Sequence, residues 1–164
     1  MGEGFGKALL AGALLLAAFI AGVFWLYWGN TPELKGEILK VRTLETADGA
    51  TVAIADFRIT NVSDIDVEVR ECRLAFRNEQ GEVVDGRTIA NEHVVRLFEQ
   101  FPILGQKFND TFIARTMVPS GDKHDAMLVA RFEVPLAEFE RRQTLIIKVE
   151  ETEGAVSTIE EGSR

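Results

Sequence analysis

Few side chains in this sequence could do chemistry. His93 and His124 are its two histidines, and Cys72 is its one cysteine. His124 lies in Gly121-Asp122-Lys123-His124-Asp125, where an imidazole adjoins two carboxylates. A zinc centre needs three or four converging ligands, so neighbours within one turn predict a solvated loop instead. His93, beside Glu92 at a helix start, reads as surface. Asn61, Ser63, Asp64 and Asp66 offer oxygens at a spacing that suggests calcium. An EF-hand loop counted from Asn61 would place glycine sixth and glutamate twelfth, and those positions hold Asp66 and Cys72. The pattern predicts a polar turn in which Asn and Asp bond their own backbone. No Gly-x-Ser-x-Gly elbow, phosphate loop or dinucleotide fingerprint occurs. Cys72 shares a strand face with Leu74 and Phe76, which predicts a buried, inert thiol. The expectation is a non-catalytic chain with no cofactor, no metal and no small-molecule substrate.

The 164 residues carry a formal charge of −8 and are 46% hydrophobic. That acidity argues against a nucleic-acid partner, whose phosphates call for basic excess. The apolar residues are unevenly spread. Residues 8–28, ALLAGALLLAAFIAGVFWLYW, hold 21 positions without a charge. At about 1.5 Å per residue they span roughly 30 Å, a bilayer's hydrocarbon thickness. Phe24, Trp25, Tyr27 and Trp28 form an aromatic belt at the exit, and Gly29-Asn30-Thr31-Pro32 supplies a stop. A cleaved signal peptide would end in small residues rather than bulky rings. The expectation is an uncleaved anchor in a bacterial inner membrane, with residues 1–7 cytoplasmic and the domain beyond the 29–34 linker periplasmic. Ala13, Ala17 and Ala21 repeat every four residues beside Ala18 and Gly22, a small-residue stripe suited to packing against another helix.

After Leu34 the period changes from helical to alternating. Ala53, Ala55, Phe57 and Ile59 share one face of a strand, with Val52 and Ile54 on the other. Ile65, Val67 and Val69 alternate until the apolar phase slips to Cys72, Leu74 and Phe76, the mark of a β-bulge. Ala126, Leu128, Ala130, Phe132 and Val134 define another strand, and residues 145–149 the last strong one. A weakly patterned first strand over 35–45, a short one over 82–85 and a segment over 111–118 complete about seven. Pro135 to Arg142 has room for one helical turn. Frequent turns between short strands predict one mainly β domain, an antiparallel sandwich over residues 35–154. Residues 155–164 read as a flexible tail.

Phe57-Arg58-Ile59-Thr60-Asn61-Val62-Ser63-Asp64-Ile65-Asp66-Val67 resembles the strand–Asn–turn–strand core of immunoglobulin-like extracytoplasmic domains, including the WHy domain of late-embryogenesis-abundant type-2 proteins. Arg73-Leu74-Ala75-Phe76, Gly81-Glu82-Val83-Val84 and Val118-Pro119-Ser120-Gly121 are similar to that pattern too. Two features depart from it: the usual Asn-Pro-Asn turn is Asn61-Val62-Ser63, and residues 88–110 form an insertion. The resemblance implies an Ig-like sandwich that binds or supports a partner without catalysis.

The insertion stands out. Val94, Leu97, Phe98 and Phe101 follow i, i+3, i+4, i+7, which predicts a short helix over 91–100 with Asn91 as N-cap and Pro102 closing it. It would cap an open end or edge of the sandwich. That stripe leaves Ile103 and Leu104 unexplained, so Leu97, Phe98, Phe101, Ile103, Leu104 and Phe108 are the candidate interface. The functional expectation is an accessory subunit of a larger membrane protein complex. The alternative is a free-standing anchored module that binds a peptide, glycan or envelope component.

Overall fold

The structure, a computed structural model, describes residues 3–27 and 32–162; in the first helix the described side chains are those of Gly6 and residues 10–25. Two units are present, residues 1–31 and 32–164. In the first, helix α1 (Glu3–Tyr27) carries charged residues in its first turns and only uncharged ones over residues 10–25. Leu14, Leu15, Phe19 and Trp25 are all well exposed on it. Ala13, Ala17 and Ala21 lie in one row of this helix, as their spacing requires. The expected span of residues 8–28 extends beyond the described side chains at both ends. Among the described residues no helix is long and apolar enough to cross a membrane. Of the expected belt, Phe24 and Trp25 are described and exposed, whereas the Tyr27 side chain and Trp28 lie outside the described residues.

The second unit is an antiparallel β-sandwich. Strands β1 (Leu34–Glu45), β2 (Thr51–Asn61), β3 (Val67–Arg77), β4 (Val83–Asp85) and β5 (Arg87–Thr88) come first in the chain. After helix α2 (Asn91–Gln100) follow β6 (Met117–Val118), β7 (Lys123–Phe132), helix α3 (Leu136–Glu140), β8 (Thr144–Glu151) and β9 (Val156–Glu160). One sheet has the order β1-β2-β7-β5 and the other β4-β3-β8-β9, with β6 beside β3. The inward residues of both sheets meet in one core, including Phe57 and Ile59 of β2, Leu74 and Phe76 of β3, Leu128 and Phe132 of β7, and Leu145 and Ile147 of β8. Phe139 of α3 closes one end of it, with its ring 5.1 Å from Phe76 and 5.2 Å from Phe132. The predicted bulge lies between Val69 and Glu71. A second, between Ile38 and Lys40, explains why β1 is weakly patterned in sequence.

Four expectations need correction. Residues 155–164 are not a free tail, because β9 pairs along β8 and buries Ile159 in the core. Val156 and Thr158 face outward, so only Ile159 marks the strand's inward face with a strong apolar side chain. The 111–118 segment is mostly loop, with only Met117 and Val118 paired as a strand and Thr111 making an isolated bridge to Met127. Helix α2 covers a sheet face rather than an end or edge: Val94 and Leu104 pack with Val52, Ile54, Met127 and Val129 on the outer side of β2 and β7. Its N-cap is Ala90, without a side-chain bond, and Asn91 is the first helical residue.

The chain passes from one sheet to the other at Gly86, between β4 and β5. A Cβ there would stand 2.6 Å from the Phe132 ring and 2.9 Å from the Ala130 methyl. An aromatic ring held in a packed core yields little, so Gly86→Ala is expected to cost about 2 kcal/mol. Urea unfolding checks this, and a loss under about 0.5 kcal/mol would show that the crossing has slack.

Candidate functional site

The bulge in β1 decides which of its side chains face outward. Ile38 pairs with Phe57, then the register slips, so Lys40 pairs with Asp56 and Arg42 with Ile54. Lys40 and Arg42 thereby join the outer face that α2 covers. Arg42 and Asp56 form an ion pair of 2.7 Å there, with side chains only 8% and 5% exposed. The second guanidinium nitrogen, Nη1, donates to the carbonyls of Leu104 at 2.8 Å and Gln106 at 2.9 Å. Asn109 Nδ2 donates to the other Asp56 oxygen at 3.1 Å. The Arg42 guanidinium also lies 5.0 Å from the Phe98 ring and 5.7 Å from the Phe108 ring, and Lys40 lies 5.6 Å from Phe108. One arginine thus gathers residues 98–109 onto the sheet through charge, hydrogen bonds and ring faces.

The six candidate interface residues divide on this platform. Leu104 is buried, and Leu97 and Phe98 are half-buried against the outer-face cluster. Leu104 is therefore core, a correction to its expected display. Phe101 is 38% exposed, Phe108 64% and Ile103 85%. Ile103 sits in a single 3-10 turn, Pro102–Leu104, that ends on Gly105 at a φ of 74°. The turn drives Leu104 into the sheet and Ile103 out of it. On the first unit, Ala13, Ala17, Ala18, Ala21 and Gly22 are exposed, and a Cβ added to Gly22 would meet no atom within 4 Å.

The polar candidates serve local structure. Asn61 is fully buried; its Nδ2 donates to the carbonyls of Ile65 at 2.7 Å and Val118 at 2.9 Å, and its Oδ1 accepts from the Ser63 N–H at 3.0 Å. Asp66 accepts from the Ser120 N–H at 2.9 Å. Among the described residues no group of three or more His, Cys, Asp or Glu is arranged to hold a metal. His93 is exposed, and His124 lies on β7 with its ring 6.0 Å from that of Phe112. Burial, helped by the neighbouring Glu71 charge, pushes the Cys72 thiol up to about 12, so little thiolate forms near neutral pH.

Two sets of residues escape sequence reading. Arg42 and Asp56 look like ordinary outward strand polars until the bulge is known. Glu151 continues the inward series Leu145, Ile147, Val149, and that series was the available signal. Its residue is 2% exposed, and its Oε1 has no hydrogen-bond partner. Burial holds its carboxyl above the ordinary carboxylate range, a hydrogen bond from Ser157 opposes this, and the Glu153 charge adds to it.

No protein-family model and no curated protein matches the chain. Among solved structures it is similar to a protein described as ApaA from Bordetella pertussis, at 11% identity and a TM-score of 0.38, covering 81% of this chain and 91% of that one. It is also similar to an uncharacterized β-sandwich protein from Clostridium difficile 630, at 12% identity and a TM-score of 0.35, covering 80% of this chain and 81% of that one.

Arg42→Met should cost about 3–5 kcal/mol, because it strands the buried Asp56 carboxylate. Arg42→Met with Asp56→Leu should recover most of the loss. Urea unfolding gives the energies, and amide exchange at Val94 reports whether the insertion loosens first; a single-variant loss below about 1 kcal/mol would overturn this role.

The raised Glu151 carboxyl sets a second expectation. The folded state keeps that proton to higher pH than the unfolded chain, so stability falls as pH rises through the interval between the two values. Glu151→Gln should therefore be the more stable protein at pH 7, by about 1 kcal/mol. The advantage should fade below the ordinary carboxylate range, as thermal melts at pH 3.5, 5 and 7 would record. A pH-independent difference would contradict it.

Proposed function

We propose that this is a non-catalytic, single-pass membrane protein that serves as an accessory subunit of a larger membrane protein complex. In this reading residues 8–28 anchor it in a bacterial inner membrane, with the N-terminus cytoplasmic and the β-domain periplasmic. The uncharged run of 21 residues supports the anchor, as does the exposure of Leu10, Leu14, Leu15, Phe19 and Ile20 on α1. Such a surface suits lipid or other helices rather than water. The row of Ala13, Ala17 and Ala21 would let a partner helix approach closely.

We further propose that the domain is Ig-like, akin to WHy domains. Its strand order supports this: read as A-B-E-D and C′-C-F-G, the sheets β1-β2-β7-β5 and β4-β3-β8-β9 follow the immunoglobulin pattern. The insertion then falls between the D and E strands, β5 and β7. The observation that carries the accessory role is the apolar turn at Ile103, 85% exposed on a segment pinned by a buried arginine. Exposed apolar side chains on a rigid support are the usual make-up of a protein-binding anchor.

Native mass after extraction in mild detergent tests the proposal. The expected result is a stoichiometric assembly far above the chain's own 18.2 kDa. Ile103→Ser with Phe108→Ser should weaken that association at least about tenfold while leaving the fold intact. Ala17→Leu with Ala21→Leu should loosen it from the membrane side. A lone chain that still binds a peptide, glycan or envelope component would replace the subunit reading with the anchored binding module.

A further inference from the structure

A cleft of about 250 Å³ opens at the end of the sandwich where β1 begins, lined by residues of the β3 start, β6 and the β8–β9 turn. Four carboxylates border it: Asp66, Glu68, Glu151 and Glu153. Among the described residues none of the four makes an ion pair at 4.0 Å or less, whereas Glu71, Glu150 and Asp125 nearby in the fold all do. Acidic side chains gather on many protein surfaces without meaning. Here one member is buried: Glu151 points inward at 2% exposure, and although Ser157 hydrogen-bonds its carboxyl, the Oε1 atom has no partner. It is one of four buried side-chain polar atoms without a partner among the described residues, beside Arg42 Nε, Arg77 Nε and Thr111 Oγ1, and of these it alone is a carboxylate acceptor that a cationic donor can meet. The apolar part of the lining includes Ile65, Val67 and Met117. The frame is fixed, since Thr152 donates its N–H at 3.0 Å and its hydroxyl at 3.2 Å to the Glu68 carbonyl.

We propose that this cleft binds an alkylammonium group, with its aliphatic stem along Met117, Ile65 and Val67 and its nitrogen donating to Glu151 and the flanking carboxylates. An ammonium carries three donors that can radiate to acceptors on different elements, which this ring of carboxylates requires. A methylene stem matches this apolar lining as lysine stems match apolar surface elsewhere. The source is either a lysine side chain of a partner protein or a free diamine.

The full chain in neutral detergent, labelled at its methionine methyls, provides the test. Met117 lines the cleft, and Met127 is fully buried on the opposite side of the β1-β2-β7-β5 sheet as an internal control. Cadaverine and the peptide acetyl-Gly-Lys-Gly-amide are each titrated, with pentan-1-ol as the uncharged stem. A saturable shift of Met117 but not Met127, absent with pentanol and weakened at least tenfold by Glu151→Gln, is the expected result. Tighter binding of the peptide assigns a lysine of a partner, and tighter binding of cadaverine assigns a free diamine. Since Glu151→Gln is expected to be the more stable protein, loss of binding would not reflect unfolding; melting the variant alongside checks this. No saturable shift with either amine, an equal shift with pentanol, or an unchanged affinity in Glu151→Gln would each overturn the proposal. Ile103→Ser, on the other side of the domain's outer layer, leaves the titration unchanged, so this test is independent of the subunit reading.

Discussion

The buried pair between Arg42 and Asp56 is the constraint on which the outer layer depends. Two charges removed from water cost more than their mutual attraction returns unless most of their remaining donors and acceptors are met. The sheet alone cannot meet them. The carbonyls of Leu104 and Gln106, the amide of Asn109 and the rings of Phe98 and Phe108 all come from the insertion. The insertion and the ion pair therefore depend on each other: the segment meets Nη1 and the second Asp56 oxygen, although the buried Arg42 Nε has no partner, and the charges fix the segment. The posture of the 3-10 turn follows from this. With the Leu104 carbonyl held by Arg42 and its side chain in the sheet, the preceding residue has no direction left except outward.

The two sheets meet solvent differently. The β4-β3-β8-β9 sheet carries charge on its outer side, with exposed pairs such as Arg73–Glu71 and Arg70–Glu150. Such pairs contribute little to stability and keep the face wet. The β1-β2-β7-β5 sheet is apolar on both sides, because Val52, Ile54, Met127 and Val129 back the inward residues. That doubled hydrophobicity is why an extra layer is needed there. At one end Phe139 fills the space between the sheets with aromatic contacts. At the other an inward slot holds a carboxylate, so the two ends of one sandwich differ in chemistry.

Much of the domain was legible in the sequence because alternation and turns are local signals. The bulge in β3 showed as a slip of apolar phase, and Asn61 showed as a turn-former whose side-chain amide bonds three backbone groups, two in its own turn and one at Val118. What stayed hidden depended on partners distant in the chain. Strand β9 exposes Val156 and Thr158 and presents only Ile159 to the core, so its sequence resembles a tail until β8 lies beside it. The site was half legible. The apolar excess after Val94 was plain, but its division into buried Leu104 and exposed Ile103 was not, because it rests on a pair of charges in the first hairpin. Glu151 was overlooked since the eye stops an apolar series at its first charge, although the backbone does not.

Strand β1 lies at the rim of its sheet, paired on one side with β2, and the backbone groups along its other edge would be a template for another copy to extend. Three features deny that template. The slip at Leu39 spoils the spacing of its free groups halfway along. Lys35, Glu37 and Lys40 would bring charge into any such junction. Gly36 lets Ile159 approach where a side chain would collide, so β9 shields the start of the rim while the Leu34 N–H is met by the Ser157 hydroxyl at 3.2 Å. The rims of the two sheets guard each other along this side, which turns a stack of open sheets into a body with little tendency to grow into fibrils through that seam.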